Sequence, residues 1–444
     1  MQDKQPLKDI IVVATGLGSF VIFWLLTIYI ESLLNDFQEE WIINLIISSF
    51  GYLNIILPTY IVYKYVHWSN YFQSEEGQTK IGCLLEHCYL GNRQEDTLED
   101  SLIRAQSFKN KNIISQQPPN ENRLLKCAFG TLSFLLVQAS LQEKIMTTKY
   151  MDSNGNFCSF KNSQFLVFFN RMISFIFAFV YISINNVPKQ NAPLYKYSFS
   201  SLSNILSSWS QYEALRFVSF PTQVMAKSYK SIPVMLIGWI VNRKKYKIKD
   251  YVFVSVMSLG MMIFLMGNID HEKESSKTTL IGSILLLGYI VSDSFTSNWQ
   301  KRLMEEYGTG HVTTMYNENM VACILTIVPL MHQGNLTSGL TFMLQFKRFA
   351  FDCIVLSICS AFGKHFIYKT LEEFDPLTLS IIMAIKQMIS VIFSYWKYGH
   401  EITFDSGLGL SIVFLALIAK SFHKKFSIPY LTTPKDVKIK STEK

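Results

Sequence analysis

Two lysines three residues apart, Lys227 and Lys230, sit near the middle of the apolar stretch Val218–Val241. At about 1.5 Å per residue, such a stretch is long enough to cross a hydrocarbon core of about 30 Å. The i,i+3 spacing puts both ammoniums on one face of a helix. A charge near the bilayer centre costs roughly 2.5–3.5 kcal/mol on insertion scales. Two on one face therefore require carboxylates, water or an anionic ligand. Pro221 suits the first helical position of the span, and Pro233, inside it, is expected to kink it. A kinked membrane helix with a central cationic face reads as part of an anion path. The alternative is a pair of lysines buried against structural carboxylates.

Further polar groups lie in apolar surroundings. Lys386 stands about ten residues into the span opening at Pro376, roughly 15 Å deep and again near the midplane. Asp375 is placed to cap that helix. Lys364, within F-G-K-H-F, also reads as deep. Four ammoniums at one depth would suit a polyphosphate or phosphosulfate, with lysine serving as a mobile point charge. Glu213 and Arg216 are i,i+3 neighbours suited to an ion pair. Gln211 and Tyr212 could contact a base, the first by hydrogen bonds and the second by stacking. Glu143, beside Gln142 at a span end, could balance an empty lysine site or gate it. Asp293, Asn298 and Gln300 dot a later span. Asn317, Glu318 and Asn319 are expected to open the next one at the cytosolic face, as gate candidates. No nucleophile–base–acid arrangement and no metal-ligand spacing occurs, so neither an enzyme nor a cofactor is expected. A membrane transferase is the enzyme-class rival, but His400 and His423 lack a catalytic setting. A membrane protein that binds without transporting is the other.

The elements that must position these groups follow from composition. Of 444 residues, 49% are hydrophobic and 17% charged, with 34 Phe. This is an all-α polytopic membrane protein. The net charge of +8 lies largely in short connections, where it reports topology and not nucleic-acid binding. Residues 1–65 form a helix pair, with apolar runs at about 10–30 and 41–63. Residues 66–123 form a polar cytosolic linker expected to be loop or disorder, 124–425 a ten-helix core, and 426–444 a cytosolic tail. The core spans are expected at 124–142, 163–184, 195–218, 221–241, 251–268, 279–300, 315–332, 348–370, 376–396 and 404–421. The basic connection N-R-K-K-Y-K-I-K-D at 242–250 and Lys301 with Arg302 are assigned to the cytosol, as are both termini. Asn335-Leu336-Thr337 then falls on the lumenal side, where glycosylation at Asn335 is open to it. Ten spans divide into five and five, and an odd number permits an inverted repeat with a site between the halves. Cys127, Cys353 and Cys359 read as packing residues, while Cys83 and Cys88 could pair.

Several stretches resemble the nucleotide-sugar transporter family of the drug/metabolite transporter superfamily. They are L-Q-E-K-I-M-T at 141–147, S-Q-F-L-V-F-F-N-R at 163–171, and above all the run from Tyr197 to Gly238. D-S-F-T-S-N-W-Q at 293–300 and L-S-I-C-S-A at 356–361 narrow the likeness to the branch that carries adenosine 3'-phospho 5'-phosphosulfate. The resemblance covers roughly residues 124–425. It implies ten helices in two inverted five-helix repeats and a small anionic adenosine nucleotide as substrate. It also implies residence in the Golgi membrane, with UDP-sugars and ATP/ADP as neighbouring substrate classes. It further implies that Lys227 and Lys230 contact the ligand phosphates and that Lys386 is the charged position of the ninth span. The lipid bilayer is the one obligatory partner. A homodimer is left open.

Overall fold

In a computed structural model, the chain is described over residues 5–34, 40–69, 71, 80–89, 121–151, 157–160, 162–187, 192–214, 217–218, 223, 226–227, 229–266, 280–398 and 404–426; some side chains within these are not described. Apart from one small hairpin, the elements described are helices. An N-terminal pair, α1 (Gln5–Leu34) and α2 (Glu40–Trp68), is followed by α3 (Lys80–Tyr89). Next come α4 (Glu121–Thr147), the antiparallel strands β1 (Lys149–Met151) and β2 (Phe157–Ser159), α5 (Ser163–Asn185), α6 (Leu194–Ala214), α7 (Ser231–Asn242) and α8 (Ile248–Met266). Then follow α9 (Leu280–Tyr307), α10 (His311–His332), α11 (Asn335–Gln345), α12 (Lys347–Glu373), α13 (Pro376–Tyr398) and α14 (Phe404–Phe426).

Apolar composition drives these helices, and local chemistry sets their ends. Asn162 caps α5 by accepting a hydrogen bond from the Phe165 amide at 3.1 Å. The left-handed Asn186 closes the same helix. By length and apolarity alone, five helices qualify as membrane spans among the described residues, and six if α10 and α11, bent by 92°, count as one. Others fall short for a physical reason. Helix α6 is rich in serine, and Ser200, Ser201, Ser207 and Ser210 are buried against protein, where polar groups find partners.

The helices pack in a patterned way. One group joins α6 and α7 to α9, and another joins α4 to α12 and α13. The pairs α5·α10 and α8·α14 stand between the groups, as does a contact of α7 with α13. Helix α5 also leans on α12, and α10 on α6. At one end, Lys144 of α4 bonds Asp352 of α12 at 2.9 Å, and the Tyr150 hydroxyl of the hairpin donates to the same carboxylate at 3.2 Å. Phe160, Phe165, Phe342 and Phe349 fill the space beside them. The N-terminal pair seats α2 on α10, with Trp24 against His332 at 3.9 Å between ring centroids.

Three expectations need correction. The segment 66–123 is not all loop: α3 occupies its apolar run, and Tyr71 reaches back to Asp9. Cys83 and Cys88 are unpaired thiols, because five positions on a helix place them roughly 140° apart around its axis. Pro233 does not kink a helix interior. Helix α7 starts at Ser231, so the proline sits in its first turn, where a missing N–H costs nothing. Pro221 lies outside the described residues.

Candidate functional site

The lysine pair stands where the fourth core span departs from a continuous α-helix. Tyr229 N–H bonds the carbonyl of Ala226, Lys230 N–H that of Lys227, and Ile232 N–H that of Tyr229, all three-residue turns. Regular i→i−4 bonding begins with Val234 on Lys230. The tighter winding leaves Lys230 as the residue from which α7 springs. The positive end of α7 therefore adds to the lysine charge.

Lys230 forms an ion pair with Asp293 of α9. The Lys227 ammonium lies over the Tyr289 ring, 5.8 Å from its centroid. Lys227 is also within electrostatic reach of Lys386, Asp293 and Lys230. Helix α13 brings Lys386 in: its Ser380 hydroxyl donates to that of Ser231 at 3.1 Å, where α7 begins. Lys386 makes no hydrogen bond or ion pair among the described residues. Lys227 thus has within reach the ammoniums of Lys230 and Lys386, drawn from two helix groups, and one carboxylate among the described residues, Asp293. Gln211 is half-buried nearby, and its backbone carbonyl accepts from Gln223 at 2.6 Å. Glu213 is buried. Arg216 and the side chains of Tyr212 and Glu143 lie outside the described residues.

Lys364 makes its contacts in a second polar cluster, donating to Ser174 at 3.1 Å and Asn319 at 3.3 Å. There Glu318 accepts two bonds from Gln300, at 2.7 and 2.8 Å, and Arg171 donates to Asn204 at 3.0 Å. Asn317 to Asn319 were expected at an exposed helix opening. The helix starts earlier, at His311, so Glu318 and Asn319 lie two turns inside it and are buried, while Asn317 is half-buried. Arg171 was passed over in the sequence, although an arginine in the apolar run 163–184 was signal enough.

A third set of contacts gathers beside the basic connection 243–247. Lys244 pairs with Asp375, so that carboxylate is engaged from another helix group. Lys301 donates to the Glu372 carbonyl at 3.1 Å, and His311 Nδ1 lies 2.5 Å from the Glu372 carboxylate. Asn335, the glycosylation candidate, holds Gln333 at 2.8 Å and receives Asn162 on its carbonyl at 3.0 Å.

The profile of the UAA transporter family matches residues 123–424, from the first turn of α4 to the last turn of α14. The chain belongs to that family. As a UAA transporter it is similar to two proteins named adenosine 3'-phospho 5'-phosphosulfate transporter 1. The one from Drosophila melanogaster is 40% identical over 88% of this chain and 85% of its own length. The one from Homo sapiens is 38% identical over 87% and 88%. A UDP-galactose/UDP-glucose transporter 5B of Arabidopsis thaliana is 34% identical over 68% of this chain and 89% of its own. One crystal structure superposes with a TM-score of 0.51 over 69% of this UAA transporter and 99% of itself; at 9% identity that is a likeness of fold alone.

Proposed function

We propose that this protein carries adenosine 3'-phospho 5'-phosphosulfate from the cytosol into the Golgi lumen in exchange for an adenosine nucleotide. The observation that carries the reading is the gathering of Lys230 and Lys386 about Lys227, with Asp293 paired to Lys230. A ligand with a phosphate and a phosphosulfate brings the negative charge this site lacks. Leaving water is costly for such an anion unless fixed cations replace its hydration. Exchange follows from the same arithmetic. Three ammoniums against one carboxylate leave an empty site with excess charge, and that charge impedes return of the carrier without an anion aboard. The names of the Drosophila and human relatives support the substrate. The Arabidopsis relative favours a nucleotide sugar as the second reading. In this proposal Gln211 and Tyr212 face the base, Glu143, Glu213 and Asn317 serve charge balance and gating, and Asn335 faces the lumen. The core runs over 124–425, between the linker 66–123 and the tail 426–444, with both termini cytosolic.

Reconstituted protein should accumulate labelled donor in liposomes preloaded with adenosine 3',5'-bisphosphate or AMP. Uptake no higher than in empty liposomes would overturn the proposal, and faster uptake of UDP-sugars would favour the second reading.

The packing pattern supports two inverted five-helix repeats, α4–α8 and α9–α14, with α11 a short addition. Advancing each core span by five turns the contact α6·α9 into α12·α4, α7·α9 into α13·α4, and α5·α12 into α10·α6. The pairs α5·α10 and α8·α14 map onto themselves. The two moving bodies would then each draw helices from both halves of the chain, with the lysine site between them. The contacts of Lys244, Lys301 and His311 would latch the cytosolic side shut. A cysteine introduced as Lys386→Cys, in a background without other reactive thiols, reads this out. Adding Asp375→Asn and Glu372→Gln should raise its labelling by an impermeant thiol reagent from the cytosolic side several-fold. Unchanged labelling would remove the latch.

Lys364 is the weakest of the four lysines in this scheme, because its bonds go to Ser174 and Asn319. Lys364→Gln keeps a donor for both and is expected to retain substantial transport. Complete loss with intact folding would make Lys364 a ligand residue.

A further inference from the structure

A cleft of about 440 Å³ opens between the start of α4 and the end of α12, lined by Arg123, Lys126, Cys127, Phe366, Lys369 and Glu373. Three cations face one carboxylate there. Among the described residues none of the three cations has an ion-pair partner, although Lys369 and Glu373 are a helical turn apart. Elsewhere in the chain, cations at helix ends do find partners: Lys144 takes Asp352, Lys196 takes Glu306 and Lys244 takes Asp375. The unbalanced charge of this cleft is therefore a local property.

Its position is fixed by its neighbours. Glu372 and Asp375, which meet Lys301 and Lys244, flank the Glu373 wall, so the cleft lies at the same end as the basic connection 243–247. In the orientation proposed above, that is the cytosolic leaflet. Below the charged rim the walls turn aromatic. Phe366 and Phe362 lie one turn apart on α12, and Phe134 of α4 stacks on both, at 5.9 and 5.2 Å. On α4, steps of about 100° per residue put Arg123, Cys127 and Gly130 on the cleft face and Leu125 and Phe129 on an outer one. Lys126 lies at the border between them. Leu125 and Phe129 are 65% and 76% exposed, apolar surface that in a membrane protein meets acyl chains.

We infer that this cleft holds the phosphorylated headgroup of an anionic lipid of the cytosolic leaflet. Arg123, Lys126 and Lys369 surround the phosphate, and the acyl chains descend along Leu125 and Phe129. A basic pocket between membrane helices on the cytosolic side is the setting in which such headgroups bind. A soluble anion would use the same cations but would gain nothing from the apolar surface beneath them. Because the walls are α4 and α12, an occupied cleft would tie together the helix group that also carries Lys386.

The test reconstitutes the full chain in phosphatidylcholine vesicles with or without phosphatidylinositol 4-phosphate. Binding of a fluorescent analogue of that lipid is measured for the natural protein and for Arg123→Gln/Lys126→Gln/Lys369→Gln. Each cation near a membrane surface is worth about a five-fold change in binding, so the triple variant should bind on the order of 100-fold more weakly. Lys245→Gln/Lys247→Gln, in the connection at the same end, should bind as the natural protein does. Equal loss in both variants would mean general surface attraction and would overturn the site. Displacement of the lipid by millimolar inorganic phosphate or adenosine 3',5'-bisphosphate would also overturn it and reassign the cleft to a soluble anion. Thermal unfolding in detergent should be the same for all three proteins. If the triple variant proves unstable, Lys369→Gln alone is read instead, with about a five-fold loss expected and no loss counting against the site.

Discussion

Lys386→Ala and Lys230→Ala are each expected to abolish most transport while the protein remains folded and correctly targeted. Removing one member of a buried charge arrangement costs about 3–5 kcal/mol, which is roughly two to nearly four orders of magnitude in affinity for the bound anion. The empty protein does not bear that cost equally at the two positions. Lys386 has no partner among the described residues, so its removal lowers the burden of inserting the chain. Lys230 neutralises Asp293, and Lys230→Ala leaves that carboxylate without its counter-charge. The double variant Lys230→Ala/Asp293→Asn separates the two effects. It should recover the yield of folded protein without recovering transport. The measurement is initial uptake in proteoliposomes, normalised to folded protein. Near-normal uptake by both single variants would return the lysines to a structural role.

Gly409→Ala should be strongly destabilising, against the ordinary rule. Replacing glycine by alanine inside a helix normally gains roughly 0.5–1 kcal/mol. At Gly409, however, a Cβ would collide with the backbone at Phe264 N and Gly260 O, where α8 and α14 cross. Backbone cannot move aside as the end of a flexible side chain can, so the helices must separate. Overpacking of this kind costs about 1–3 kcal/mol or more. The control lies one step away on the same helix. A Cβ at Gly407 meets nothing within 4 Å, so Gly407→Ala should be neutral or stabilising. Thermal unfolding in detergent compares the two. Equal melting temperatures would show that α8 and α14 do not cross this tightly.

The cationic centre was legible because charge in an apolar run is expensive, and Lys227, Lys230 and Lys386 each stood in such a run. Their meeting was legible only as a matter of depth. What the linear pattern did not disclose was the partner. Asp293 lies on another helix, and nothing local to it marks Lys230 as its neighbour. Pro233 illustrates a different limit. A proline in an apolar segment is compatible with a kink or with a first turn, and the choice depends on where the preceding residues leave the α-helical path. For Asn317 to Asn319 the error was one of four residues in the start of α10, enough to turn a buried polar cluster into an exposed helix end. For the spans, a threshold on apolarity is a poorer guide than the pattern that places one at 195–218. Helix α6 is too rich in serine to qualify on apolarity, since its polar face meets protein instead of lipid.

The pairing of α4 with α12 has a consequence for how the chain is made. Helix α4 ends at Thr147 and α12 begins at Lys347, so the ribosome must add about 200 residues before the first helix of the core meets its main partner. At about 5–20 residues per second that interval is roughly 10–40 s. Within it, α6 and the lysines at 227 and 230 are made before Asp293 and Glu318, and Lys386 follows only after α12. A nascent chain interrupted between Lys230 and Asp293 therefore holds cations and serines without the groups that satisfy them. Such a fragment is a substrate for membrane quality control and not a half-working carrier. Biogenesis of this protein must tolerate a long wait with its charges unmatched.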